Sequence, residues 1–245
     1  MSKPKVGLII GCNYSNTSTP LKESIIDANN MKSILIDAYQ YDQKKIIMLV
    51  DSNQDNLPTK ESILNNLTNI ISVSYQYSEI CLYYSGHGSE SRKFLDIPDP
   101  AIVPCDYIYA GCISNDDIYQ IIKDTQCQLR IIMDCLGSGL NLQYSYQLIS
   151  GKNIKPYINF TINNDLIINQ LITLFIRTDN NKITNNILFI IRENNYSLKY
   201  SDILYNLKNS ILYTSQEIII TSNYINYLYS NYQYLVDTVN NLLPK

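Results

Sequence analysis

Four short apolar runs, residues 5–10, 45–50, 78–84 and 128–133, punctuate the first half of the chain, with longer polar-and-apolar stretches between them. The stretch 21–39 carries apolar residues at helical spacing, 59–73 repeats the pattern behind Thr59 and Ser62 as candidate caps, and 114–124 starts a third helix behind Ser114 or Asn115. Parallel strands need crossovers of this length. The alternation therefore predicts a mainly parallel sheet of about six strands with helices on both faces, an α/β fold. Beyond residue 139 the pattern weakens: 166–177 and 217–221 read as strands, 185–193, 201–212 and 224–243 as helices, and 142–165 as a loop or insertion. A single domain over 1–245 is the economical organisation.

Open sheets of this kind place their chemistry at the carboxyl ends of the strands. The third run leads into Tyr84-Ser85-Gly86-His87-Gly88, which contains the chain's one histidine, with glycines that mark a sharp exit from the strand. The fourth run leads into Asp134-Cys135-Leu136-Gly137-Ser138-Gly139. A histidine and a cysteine at neighbouring strand ends are the two parts of an activated thiol nucleophile, since an imidazole lowers the thiol's pKa and can carry its proton.

Composition removes several other classes of function. A net charge of −3 and a pI near 5.2 leave no electrostatic footprint for nucleic acid. The apolar runs are too short for a membrane span. Cysteines at 12, 81, 105, 112, 127 and 135 form no paired metal spacing, and with one histidine no zinc site is expected. They read as reduced core residues of a cytoplasmic protein. Neither GxGxxG nor P-loop spacing occurs.

Taken in order, Leu8-Ile9-Ile10-Gly11-Cys12-Asn13-Tyr14, Asp27-Ala28-Asn29-Asn30-Met31, Tyr84-Ser85-Gly86-His87-Gly88-Ser89, Ile102-Val103-Pro104-Cys105-Asp106-Tyr107, Ile113-Ser114-Asn115-Asp116-Asp117-Ile118 and Asp134-Cys135 resemble the metacaspases, caspase-fold cysteine peptidases. The resemblance covers most of the first 150 residues and implies a three-layer caspase-like sandwich. It implies that His87 is the base of a Cys–His dyad, that Gly88 lies at the oxyanion hole, and that Asp27, Ser85 and Asp134 line an acidic pocket for Arg or Lys before the scissile bond. It also implies calcium at Asp99, Asn115, Asp116 and Asn141, with asparagine at two positions where the family carries aspartate. The residues Asn115-Asp116-Asp117 equally read as the first turn of a helix. We expect a monomer acting on peptide or protein substrates, with no nucleic-acid or membrane partner. Lys152 or Lys155 is a conceivable self-cleavage site.

The chain departs from the family where chemistry is most exacting. The family's nucleophile motif reads Asp-x-Cys-His-Ser-Gly, and an ungapped match puts Leu136 at the nucleophile position. A one-residue gap before Cys135 puts Cys135 there instead. Two functions follow: a cysteine endopeptidase cleaving after Arg or Lys through His87 and Cys135, or an inactive binding module that grips basic segments uncut. Strand periodicity alone leaves both open, because a shift of one residue sends a side chain to the opposite face.

Overall fold

The structure, a computed structural model, describes residues 2–93, 97–136, 147–150, 157–159, 171–177 and 217–222, with side chains for 2–89 and 101–135. Its strands are β1 (Lys5–Gly11), β2 (Ile46–Val50), β3 (Glu79–Lys93), β4 (Ile97–Ile102), β5 (Ile113–Ser114), β6 (Gln128–Leu136), β7 (Gln147–Ser150), β8 (Tyr157–Asn159), β9 (Leu171–Arg177) and β10 (Glu217–Ser222). Its helices are α1 (Ser24–Asp37), α2 (Lys60–Ser72), α3 (Tyr107–Ala110) and α4 (Asn115–Ile122). The main sheet runs β2-β1-β3-β6-β9-β10-β7-β8. Neighbouring strands are parallel from β2 to β9, and β10, β7 and β8 then continue antiparallel. The expected α/β sheet is present. The segment 142–165, expected as a loop or insertion, contributes β7 and β8, whose runs are too short to show a period. The helices expected at 185–193, 201–212 and 224–243 lie outside the described residues.

Both faces of the sheet are covered, which is why the central strands read as continuous apolar runs. On one face Ile9, Cys81 and Tyr83 meet Ala28, Met31 and Leu35 of α1. On the other Leu8, Ile10, Leu82, Tyr84, Ile131, Met133 and Cys135 meet Ile63, Leu67, Ile70, Ile118 and Ile122 of α2 and α4. Thr59 caps α2 by accepting from the Ser62 N–H, and Ser114 and Asp117 form a reciprocal capping box on α4. At the amino ends of the strands, buried Glu79 accepts from the Tyr41 hydroxyl, and its Oε2 lies 2.8 Å from Arg130 Nη2. The carboxylate is thus paired and hydrogen-bonded, as a buried charge must be.

The glycines around His87 do not end the strand. β3 runs on through them to Lys93: it pairs with β6 as far as His87 opposite Leu136, then from Gly88 opposite Ile102 it forms an antiparallel ribbon with β4. The exit is a change of partner, with no turn. The smallest residues here serve close approach instead.

Gly11 shows this most clearly. A Cβ on it would lie 2.8 Å from the Ser24 carbonyl oxygen and 2.9 Å from Ala28 Cβ, so α1 can rest against the end of β1 only because the side chain is absent. Gly11→Ala must lift the start of α1, and overpacking of this kind costs about 1–3 kcal/mol. Urea unfolding is expected to show that loss with an unchanged m-value, and an unchanged midpoint would refute the packing argument.

Candidate active site

The site is assembled at the carboxyl edge of β1, β3 and β6. After Gly11 the chain turns through Asn13 and Tyr14, whose N–H groups donate to the Asp51 carboxylate at 3.0 and 2.6 Å. This grip holds Tyr14 at φ +52°, a conformation that L-residues seldom adopt. Asn13 Oδ1 then accepts from the Ile25 N–H at the start of α1, whose N-cap residue Glu23 supplies no side-chain bond.

Tyr14 and Tyr84 bring their hydroxyls together above Gly86. The Tyr14 hydroxyl donates to the Val103 carbonyl at 2.5 Å and accepts from the His87 N–H at 3.1 Å. Tyr84 donates to the His87 carbonyl at 2.6 Å and accepts from the Val103 N–H at 3.2 Å. The two oxygens are 2.9 Å apart. A Cβ on Gly86 would come within 2.5 and 2.7 Å of them, so no other residue fits beneath the pair. Burial raises both phenols well above their ordinary range, and they remain protonated donors.

His87 is consequently fixed by its own backbone. Its half-buried ring stacks on Tyr14, with centroids 4.7 Å apart and planes at 29°. Nε2 lies 2.7 Å from the Thr19 carbonyl oxygen. A carbonyl only accepts, so Nε2 is the donor in this contact. Thr19 and Asp51 do not stand out in the sequence, while Tyr14 and Tyr84 are marked only by closing and opening two of the quoted motifs.

The three pocket positions meet. Ser85 pairs with Gly11 on one side and Asp134 on the other. Asp27 on α1 lies within electrostatic reach of Asp134, and all three side chains are buried. Neither carboxylate oxygen of Asp27 has a hydrogen-bond partner among the described residues. Its pKa is pushed up to about 7, first by burial, then by Asp134 and Glu23. A buried carboxylate without a partner is a costly feature unless something cationic enters.

Cys135 falls elsewhere. It pairs with Gly86, while Leu136 pairs with His87. Alternation along β6 puts Asp134 on the α1 face and Cys135 on the other, where the thiol is 1% exposed in the core beside Tyr84 and Met133. Burial, with a smaller contribution from Asp134, pushes it up to about 12. Such a thiol is protonated at neutral pH and lacks access to a substrate. Cys135 lies in the core cluster that also holds Tyr14, on whose ring His87 stacks.

Gly88, expected near the oxyanion hole, is the first residue of the ribbon with β4. Of the residues implied for calcium, Asn115 is buried at the start of α4 and Asp116 is exposed on its first turn. Asp99 lies on β4, two positions before Ala101, which pairs with Ser114. Asn141 lies outside the described residues. Asp117 is engaged in the capping box, and among the described residues no group of three or more His, Cys, Asp or Glu side chains is placed to hold a metal. The capping box accounts for Asp117.

Against known proteins, residues 5–145 match the family model described as metacaspase, peptidase C14 domain. The chain belongs to the metacaspase family. Metacaspase-1 of Schizosaccharomyces pombe is 32% identical over 150 residues, covering 57% of this chain and 35% of that protein. Metacaspase-8 of Arabidopsis thaliana is 29% identical over 161 residues, covering 62% and 42%. The metacaspase match thus spans well under half the length of these relatives. A solved structure titled pro-sf-caspase-1 superposes with a TM-score of 0.53 at 9% identity over 91% of this chain and 89% of that one. A protein from Geobacter sulfurreducens does so with 0.61 at 13%, over 89% and 92%. The likeness to pro-sf-caspase-1 shows the caspase-like fold. No helix among the described residues is long and apolar enough to cross a membrane.

The Asp27 carboxyl carries a pH signature. Its folded pKa of about 7 exceeds the unfolded value near 3.9, so between these limits the native state holds a proton that the unfolded chain has released. Its contribution to stability is therefore greatest below about pH 4, declines as pH rises to about 7, and is level above. Asp27→Asn is expected to be more stable than the parent at pH 8, by on the order of a few kcal/mol, with the gap closing toward pH 4. Denaturant titrations of both proteins at pH 4.5 and 8 test this; a gap that widens toward acid refutes it.

Proposed function

We propose that this metacaspase domain is a peptide-binding module that receives an Arg or Lys side chain between Asp27 and Asp134 and does not cleave the chain that carries it. The observation behind this reading is the β3–β6 register, in which His87 pairs with Leu136 and Cys135 pairs with Gly86, together with the burial of the Cys135 thiol in the core. Leucine has no nucleophilic atom, and a protonated core thiol supplies none in its place. The family's peptidase chemistry needs a thiolate beside the imidazole, and the burial of the Cys135 thiol speaks against one here.

What is retained favours binding. Two buried carboxylates around Ser85 match a guanidinium or ammonium in charge, and an entering cation supplies the partner that Asp27 lacks. An aspartate side chain would meet like charge and be rejected. Because a cation favours ionised Asp27, binding draws its pKa below 7 and releases a proton. Affinity for a basic peptide is accordingly expected to fall several-fold as pH is lowered from 8 to 5.5.

The second reading, a peptidase acting after Arg or Lys with His87 as base and Cys135 as nucleophile, rests on the presence of His87 and the acidic pair. It requires β6 to slide by one residue so that Cys135 turns toward His87. A fluorogenic arginyl peptide, assayed with and without millimolar Ca²⁺, separates the two. We expect no turnover above background in either condition, and calorimetry is expected to detect binding of the same peptide, lost in Asp27→Asn. Turnover abolished by Cys135→Ala would reinstate the peptidase. An arginyl chloromethyl ketone is expected to leave the parent unlabelled and to alkylate Leu136→Cys, whose new thiol enters the position paired with His87.

A further inference from the structure

A carboxylate on the outermost strand stands behind both halves of the site. β2 lies at one end of the strand order, and its last residue, Val50, pairs with Gly11 at the end of β1. Asp51 follows directly, beside the turn by which the chain leaves β1. Its Oδ1 accepts from the Asn13 N–H and its Oδ2 from the Tyr14 N–H. One oxygen per N–H makes the contact bidentate, and the carboxylate's charge makes each bond stronger than a neutral one.

From Asn13 and Tyr14, bonds run both ways along the edge. Toward β3, the Tyr14 hydroxyl accepts from the His87 N–H at 3.1 Å, and the Tyr14 ring carries the imidazole at 4.7 Å. The Tyr14 carbonyl accepts from the Thr17 N–H at 3.0 Å and from the Thr17 hydroxyl at 2.9 Å. These bonds fold back the segment whose Thr19 carbonyl meets His87 Nε2. Toward α1, the Asn13 carbonyl accepts from the Leu21 N–H at 2.7 Å, and Asn13 Oδ1 accepts from the Ile25 N–H at 3.3 Å, in the helical turn that carries Asp27. Tyr14 holds φ +52° against the preference of L-residues, and Asp51 is the acceptor for its N–H. Once that acceptor is gone, Tyr14 can return to negative φ, a rotation about N–Cα that carries its ring off the imidazole.

We infer that Asp51 is a positioning residue for the site: through Tyr14 it sets the imidazole of His87, and through Asn13 it sets the start of α1 and with it Asp27. Its effect on peptide affinity rests on the pocket reading above, whereas its effect on the imidazole does not. The two halves of the site are thereby coupled, and a change on β2 is felt at both.

The chain's one histidine makes the test direct, because its imidazole gives a single set of ring-proton resonances. In the parent these are expected upfield of a free imidazole's, shielded by the stacked Tyr14 ring. Asp51→Asn keeps one acceptor and turns an amide donor toward the other N–H. Its imidazole resonances are expected to move downfield toward the free position, and calorimetry is expected to show an arginyl peptide bound about tenfold more weakly, the size of one lost charge-assisted bond. Asp51→Ala, which removes both acceptors, is expected to do the same, so either variant decides if the other fails to fold. Cooperative urea unfolding verifies the fold. Tyr41→Phe is the control: it deletes a buried bond to Glu79 at the amino edge and is expected to lower stability without moving the resonances. Unmoved resonances in a folded Asp51 variant, or equal movement in Tyr41→Phe, overturn the role at His87. Moved resonances with unaltered peptide affinity overturn the link to α1. A parent that binds no arginyl peptide overturns the pocket reading alone, and the resonances still decide whether Asp51 places His87.

Discussion

The pairing of β3 with β6 is the constraint on which the rest depends. Three consecutive rungs decide the chemistry of the edge: Ser85 with Asp134, Gly86 with Cys135, and His87 with Leu136. Side chains on paired rungs of parallel strands share a face, and successive rungs alternate. The first rung therefore supplies acid to the α1 side, and the second sends a thiol into the opposite core. The third pairs the His87 backbone with that of Leu136. A slip of one rung would exchange all of these and expose the apolar face of β6, so the buried packing of Leu129, Ile131 and Met133 holds the register in place.

Around that pairing, polar groups are placed with more care than an idle edge would need. Tyr14 and Tyr84 share acceptors above a glycine that nothing larger could replace, and together they hold both backbone groups of His87. Asp51 keeps Tyr14 in an unfavourable backbone conformation by accepting from two successive N–H groups. Such local strain persists only where surrounding bonds over-determine it. The imidazole is thus rigidly presented, on a residue whose backbone partner across the strands is Leu136. This arrangement suits recognition, in which a fixed donor or acceptor is useful without a nucleophile.

Much of this was legible in the sequence, and the failures have physical causes. The parallel core announced itself because strands buried on both faces are unbroken apolar runs. Asp27, Ser85, His87 and Asp134 stood out through their place in ordered motifs, and the structure pairs Ser85 with Asp134 and sets Asp27 within its electrostatic reach. The glycines flanking His87 were read as a turn because glycine permits one, yet Gly86 serves to admit two hydroxyls and the strand runs straight on. Cys135 was ambiguous because its face depends on register, which no single strand reveals. The bonds made by Tyr14, Thr19 and Val103 join residues up to 89 positions apart, several through main-chain carbonyls that carry no residue identity. β7 and β8 were missed because three or four residues cannot display a period.

The unbroken path of β3 has a mechanical meaning. One strand belongs first to the main sheet and then to the ribbon with β4, and His87 is its last rung in the former. Extended backbone held by bonds on both sides transmits displacement along its length with little give. The ribbon is therefore a handle on the imidazole: load applied to β4 would be conveyed to His87 as a tug along the strand, with no intervening joint to absorb it.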